Sequence, residues 1–144
     1  MATFAKLGFN SQVIQVLNME DSACLDAQGN FDETIGAELL EDLQKFPAAH
    51  FKLANQNMRH GILNDDEGNP MDDQSSAFRK HCAELNGTYD SVRDVFLPRQ
   101  IYASWTFNYT TWEWEPPVEK PADVVDGVPR IVSWNEDTTS WDIS

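Results

Sequence analysis

The sequence is short of positive charge. Lys and Arg number 10 against 24 Asp and Glu, for a net charge of −14 and a pI near 4.3. A binder of the phosphate backbone needs a basic patch, so nucleic acid is excluded as an expected partner. An anionic membrane surface is disfavoured for the same reason. Only two cysteines occur, Cys24 and Cys82. They have no metal-type spacing and are too few for a disulfide framework, so free thiols are expected. No apolar window of about 18 residues exists that would span a bilayer. The opening MATFAKLGFN has neither the pattern of a signal peptide nor that of an anchor, and the expected place of synthesis is a cytoplasm. Cofactor loops and catalytic signatures are also missing, so neither an enzyme activity nor a cofactor is expected.

What the chain does have is aromatic residues: eight Phe, five Trp and three Tyr in 144 residues. Each large ring can bury roughly 150–250 Å², enough to carry the core of one modest domain. The local patterns predict an α+β, β-rich fold of antiparallel strands and hairpins with one main helix. SQVIQVLNM, from Ser11 to Met19, reads as a strand buried in part on both faces. DAQGN, from Asp26 to Asn30, reads as a turn. The helix is expected over about 33–46. Asp32 is its N-cap, Ile35, Leu39, Leu43 and Phe46 form its apolar face, and Pro47 is its stop. A further strand is expected over HFKLANQNMRHG, from His50 to Gly61. Asn86-Gly87 marks a turn, and short strands follow around Thr88–Asp90 and Asp94–Pro98.

The C-terminal third repeats itself. Phe107-Asn108-x-x-Thr111-x-x-Trp114-Glu115 and Trp134-Asn135-x-x-Thr138-x-x-Trp141-Asp142 share the pattern aromatic-Asn-x₂-Thr-x₂-Trp-acid. Two copies suggest two similar hairpins rather than a solenoid. With a four-residue loop over 108–111, Phe107 faces Trp112 and Trp105 faces Trp114. The same register in the second copy pairs Trp134 with Thr139 and Val132 with Trp141. Alternation then gathers Trp105, Phe107, Trp112 and Trp114 on one face, and Trp134 and Trp141 on another. Residues 101–144 are expected to form this hairpin region of a single domain spanning 1–144. A Pro-rich linker over 115–129, favouring an extended path, joins the two copies.

The chemistry-bearing candidates each have a plainer reading. The faces of Trp105, Phe107, Trp112, Trp114, Trp134 and Trp141 are partner-binding candidates, since large amphipathic rings are enriched at protein interfaces. The alternatives are a small core, or a platform for sugar rings. The loop over 64–73, with Asp65, Asp66, Glu67, Asp72 and Asp73, offers oxygens to a cation but departs from the EF-hand spacing, so a solvated loop is expected. His50, His60 and His81 are far apart, and adjacency of His81 and Cys82 is poor geometry for one ion. No metal site is expected from them. Asn86-Gly-Thr and Asn108-Tyr-Thr match the glycosylation pattern by chance.

Several stretches together resemble a family of small, mostly uncharacterised proteins of marine tailed phages, including cyanophages. They are the opening MATFAKLGFNSQVI, the segments FRKHCAELNGTYDSVRDVFLP and SWTFNYTTWEWEPPVEKP, and the terminal SWNEDTTSWDIS. The helix and the stretch from Asn57 to Ala77 depart from the family pattern. The resemblance supplies no catalytic residues. It implies a virion location and a structural role in capsid decoration or in a tail or baseplate. The implied partners are other virion proteins, with self-association to a homo-oligomer as a further expectation. An acidic inhibitor of a host factor and a carbohydrate-binding tail module are the rival expectations.

Overall fold

The computed structural model describes residues 1–144, which divide into two compact units, Met1–Arg99 and Gln100–Ser144. The first unit contains β1 (Ala2–Leu7), β2 (Val13–Met19), α1 (Glu33–Gln44), β3 (Phe51–Ala54), β4 (Met58–Arg59), β5 (Ile62–Leu63), β6 (Thr88–Asp90) and β7 (Val95–Leu97). The second contains β8 (Thr106–Asn108), β9 (Glu113–Glu115), β10 (Val124–Val125), β11 (Val128–Pro129), β12 (Val132–Asn135) and β13 (Ser140–Ile143). The fold is α+β and β-rich, built from antiparallel hairpins and one main helix. No helix is long and apolar enough to cross a membrane.

In the first unit β1 lies between β2 and β3 in a three-stranded antiparallel sheet. A central strand is covered on both sides, and β1 alternates accordingly. Ala2 and Phe4 join Cys24, Ala37, Leu40 and Phe51 beneath the helix. Ala5 and Leu7 join Val13, Ala54, Ala83, Tyr89 and Phe96 on the other face. One sheet thus carries two small cores, and Phe4, Phe51 and Phe96 are the largest fully buried side chains.

The helix starts as its sequence dictates, with the Asp32 carboxylate accepting from Thr34 N at 2.8 Å. It ends at Gln44, where Lys45 takes a left-handed φ of 54°. Its buried face differs from the expected one. Gly36, Ala37 and Leu40 are buried, whereas Leu39 and Leu43 are exposed. Phe4 is the reason. A Cβ on Gly36 would lie 2.6 Å from Phe4 Cζ and 2.8 Å from Cys24 Sγ. The sheet supplies the bulk, so the helix must present small residues and leave two leucines outside.

The strand expected over His50–Gly61 forms only in part, as β3; the chain then turns, and Met58–Arg59 pairs with Ile62–Leu63 as a tight hairpin. The turns at 26–30 and 65–69 are two copies of one device, Asp-x-x-Gly-Asn. In each, the Asp Oδ1 accepts two backbone amides: Gln28 and Asn30 at 2.9 Å, and Glu67 and Asn69 at 3.0 and 2.8 Å. The glycines, Gly29 and Gly68, hold φ of 83° and 89°, which a side chain would strain. The Asp65 carboxylate therefore serves its own loop's backbone.

The Pro-rich linker expected over 115–129 is only partly extended. Its last residues fold into the β10–β11 hairpin around Asp126-Gly127, with φ of 52° and 76° at the turn. Those values suit the two-residue turns whose twist matches antiparallel strands.

Candidate functional site

Both tryptophan repeats form hairpins, with a register two residues beyond the expected one. Phe107 pairs with Trp114, and Trp134 pairs with Trp141. The four-residue loops are therefore 109–112 and 136–139, and each asparagine is the last residue of its strand. The side chain explains the shift. Asn108 Oδ1 accepts from Thr110 N and Thr111 N at 2.8 and 3.1 Å, closing the loop from outside. Its Nδ2 donates across the hairpin to Glu115 at 2.8 Å. Asn135 likewise accepts from Thr138 N at 3.2 Å and donates to Asp142 at 3.1 Å. The motif thus encodes one turn: Asn caps it, the Thr amide is capped, the two aromatics pair across it, and the final acid holds the Asn amide.

A third copy occurs in the first unit, between β6 and β7. Asp90 Oδ1 accepts from Val92 N and Arg93 N at 3.0 and 3.1 Å, and Tyr89 pairs with Phe96. The fourth loop residue is left-handed in all three copies, with φ of 55° at Asp94, 58° at Trp112 and 48° at Thr139. Ring centroids of the paired aromatics are 5.2 Å apart for Tyr89–Phe96, 5.2 Å for Phe107–Trp114 and 5.1 Å for Trp134–Trp141. The sequence conceals this copy because Asp90 stands for Asn, Arg93 for Thr and Phe96 for Trp, and no acid follows.

The six aromatic candidates fall into two clusters rather than following the expected hairpin faces. Phe107, Trp112 and Trp114 pack with Tyr109, at ring separations of 5.0–5.9 Å. Trp105 joins the other hairpin, 5.9 Å from Trp134 and 6.2 Å from Trp141, with Tyr102 at its edge. β8 begins only at Thr106, and Trp105 N donates to Tyr102 O at 3.2 Å, so the chain turns before the alternation reaches Trp105. Glu136 secures that turn. It accepts from Ser104 N, Ser104 Oγ and Trp134 Nε1 at 2.8, 2.6 and 2.7 Å. These bonds, led by the Ser104 one, hold its carboxyl below the ordinary range. Trp141 Nε1 donates to Val118 O at 2.8 Å, tying down the linker.

No residue of the second unit is buried. Its eight clustered rings are half-buried or exposed, and its aliphatic residues Val118, Val124, Val128, Ile131 and Ile143 are exposed. Trp105 Nε1 is shielded from solvent yet has no hydrogen-bond partner. The Trp105, Trp134 and Trp141 rings meet at 56–82°. These three rings are therefore not coplanar.

In the first unit, Arg79 links α1, β3 and the β6–β7 hairpin through Glu33, Leu53 O and Asp94. Comparison with protein-family models, with curated proteins and with solved structures finds no match.

Proposed function

We propose that this chain is a non-enzymatic structural component of a phage virion, as a capsid decoration protein or a tail or baseplate part, acting through protein–protein contacts. The observation that carries the reading is the second unit. From Gln100 to Ser144 it spends many aromatic residues and buries none of them fully. Half-covered tryptophans amid exposed aliphatics make a surface that gains from being covered, and Tyr and Trp are the residue types enriched where protein interfaces are strongest. Arg130 and Lys120 are the only basic residues of this unit, against eight acids. The partner face that suits it is therefore apolar at the centre and basic at the rim. The resemblance of the sequence to small proteins of marine tailed phages points to other virion subunits, or a second copy of the chain, as that partner.

Mass spectrometry of purified particles tests the location. The protein is expected at a stoichiometry that repeats from one preparation to the next, and its absence from particles would overturn the reading. Host-factor inhibition predicts instead that the chain stays in the infected lysate with one host protein bound.

A further inference from the structure

Metal-ligating side chains gather in the first unit. His81 and Cys82 are 4% and 5% exposed, and Glu84 is half-buried. One donor atom from each, an imidazole nitrogen, the thiol sulfur and a carboxylate oxygen, lie within 4.8 Å of one another. The ring of His60 stands 5.8 Å from that of His81, centre to centre.

Neighbouring side chains diverge along an extended strand, but this segment is not extended. Arg79 and Lys80 both take left-handed φ, 53° and 60°, and the chain bends at His81. Backbone bonds from Gly61 N to Lys80 O at 2.8 Å and from Cys82 N to Met58 O at 3.0 Å hold it against the β4–β5 hairpin. The adjacency of His81 and Cys82 is thus compatible with shared ligation, contrary to what their spacing alone suggests.

A second observation is independent of the clustering. One nitrogen of the buried His81 ring is unsatisfied. Its Nδ1 has no hydrogen-bond partner, and its Nε2 lies 3.7 Å from Glu84 Oε2, beyond hydrogen-bond length. Buried polar atoms are nearly always partnered, and an exception needs a reason.

We propose that His81, Cys82 and Glu84, completed by His60, form a structural Zn²⁺ site. The donor set is the N, S and O mixture that zinc accepts in four-coordinate sites. With Zn–N of about 2.0–2.1 Å and Zn–S of about 2.3 Å, tetrahedral donors sit roughly 3.3–3.8 Å apart, so the three donors close by about 1 Å. The same bond lengths place two bound imidazole rings roughly 5 Å apart, close to the separation of His60 and His81. Binding exchanges the thiol proton for the metal: Cys–SH and Zn²⁺ give a Cys–S–Zn bond, and H⁺ passes to water. Thiolate and carboxylate then balance the ion's charge. Arg59 on β4 is itself anchored, its guanidinium donating to Gln56 O and Met58 O at 2.6 and 2.8 Å. The ion would fasten the β4–β5 hairpin to the segment leading into β6.

The test is titration of the chelator-stripped full chain with Co²⁺ and then Zn²⁺. One Co²⁺ per chain is expected, with a thiolate-to-cobalt charge-transfer band, tetrahedral visible bands, and displacement of both by Zn²⁺. Cys82→Ser should lose the charge-transfer band while Cys24→Ser keeps it. Glu84→Gln, which retains an acceptor for Arg99 N, should weaken binding at least as much as the 10–100-fold typical of losing an outer partner of a ligand. Circular dichroism checks that each variant folds. If Cys82→Ser does not fold, the Glu84→Gln affinity decides. Sub-stoichiometric binding, a band that survives Cys82→Ser, or unchanged affinity in Glu84→Gln overturns the proposal.

Discussion

Arg79 and Glu33, 46 residues apart in sequence, meet as a two-pronged ion pair with N···O distances of 2.7 and 3.1 Å. The same guanidinium donates to Leu53 O at 2.7 Å and to Asp94 Oδ1 at 2.8 Å, and Asp94 also accepts from the Tyr89 hydroxyl. Glu33 in turn accepts from Leu53 N at 2.7 Å. One cation thus joins the first residue of α1, the third residue of β3 and the β6–β7 turn. Burial works against its charge, but hydrogen bonds and charges from Glu33 and Asp94 outweigh that and raise its pKa above the ordinary value. The arginine side chain is 11% exposed, so its removal strands a half-covered carboxylate. Arg79→Met should destabilise the protein by about 1.5–3 kcal/mol, the scale of lost hydrogen bonds to a charged group, because Glu33 and Asp94 keep access to water. Arg79→Lys should recover only part of that, because it lacks the fork. Denaturant titrations of the two variants check the order.

Gly36 should not tolerate a methyl group. In an exposed helix interior Gly→Ala gains about 1 kcal/mol. Here the added Cβ meets the buried ring of Phe4 at 2.6 Å. Gly36→Ala should therefore lower stability by about 1–3 kcal/mol, the cost of overpacking. A rise in the denaturation midpoint would show that the helix can move away from the sheet.

Alkali should act through Tyr89. Burial first, and then its bond to Asp94, push its hydroxyl up to about 12 from an ordinary 10. The folded state prefers the neutral phenol, so its contribution is complete below pH 10 and is lost as the pH rises from 10 to 12. The loss should be roughly 2–3 kcal/mol, at about 1.4 kcal/mol per pH unit. Tyr89→Phe should flatten this part of the stability profile, measured by denaturant midpoints across that range.

Acid should act on the second unit through Glu136. Its pKa is lowered from 4.5 by the Ser104 and Trp134 bonds. The stabilisation from the ionised form is present above that ordinary value and lost as pH falls through the lower folded one. Tryptophan fluorescence should change in this acid window, and Glu136→Gln should remove the change.

Trp112 separates stability from binding. A bulky side chain at φ 58° is strained, by about 1–2 kcal/mol, whereas Asn visits that region readily. Its ring packs beside Phe107 and Tyr109 in a cluster without full cover. Trp112→Asn should leave the melting temperature of the isolated chain within a few degrees of the parent. It should also abolish incorporation into particles. A large loss of monomer stability would mean that the ring serves the fold.

The extent to which the sequence was legible follows from how local each feature is. The Asp32 cap, the Asp26–Asn30 turn and the strands around Thr88–Asp90 and Val95–Leu97 depend on neighbours within a few residues, and they stand where the pattern places them. The hairpins too were visible, but their register was not. A register shift of two residues preserves the alternation of faces, so apolar patterning cannot distinguish the two. The choice rests on whether Asn108 lies in the loop or caps it from the strand, a difference made by two side-chain hydrogen bonds. The left-handed turn that gathers His81, Cys82 and Glu84 has no sequence mark, because neither Arg79 nor Lys80 favours that conformation.

By itself the sequence determined the acidic charge, the single main helix, the turn sites and the existence of the two tryptophan hairpins, all properties of short segments. Tertiary structure alone decided which helix face is buried, because the bulk of Phe4 and Phe51 comes from distant strands. It alone placed Trp105 with Trp134 and Trp141, because a turn at Tyr102 interrupts the strand. It alone brought Glu33 and Asp94 to Arg79. Each of these depends on contacts between residues far apart in the chain, which local propensity does not encode.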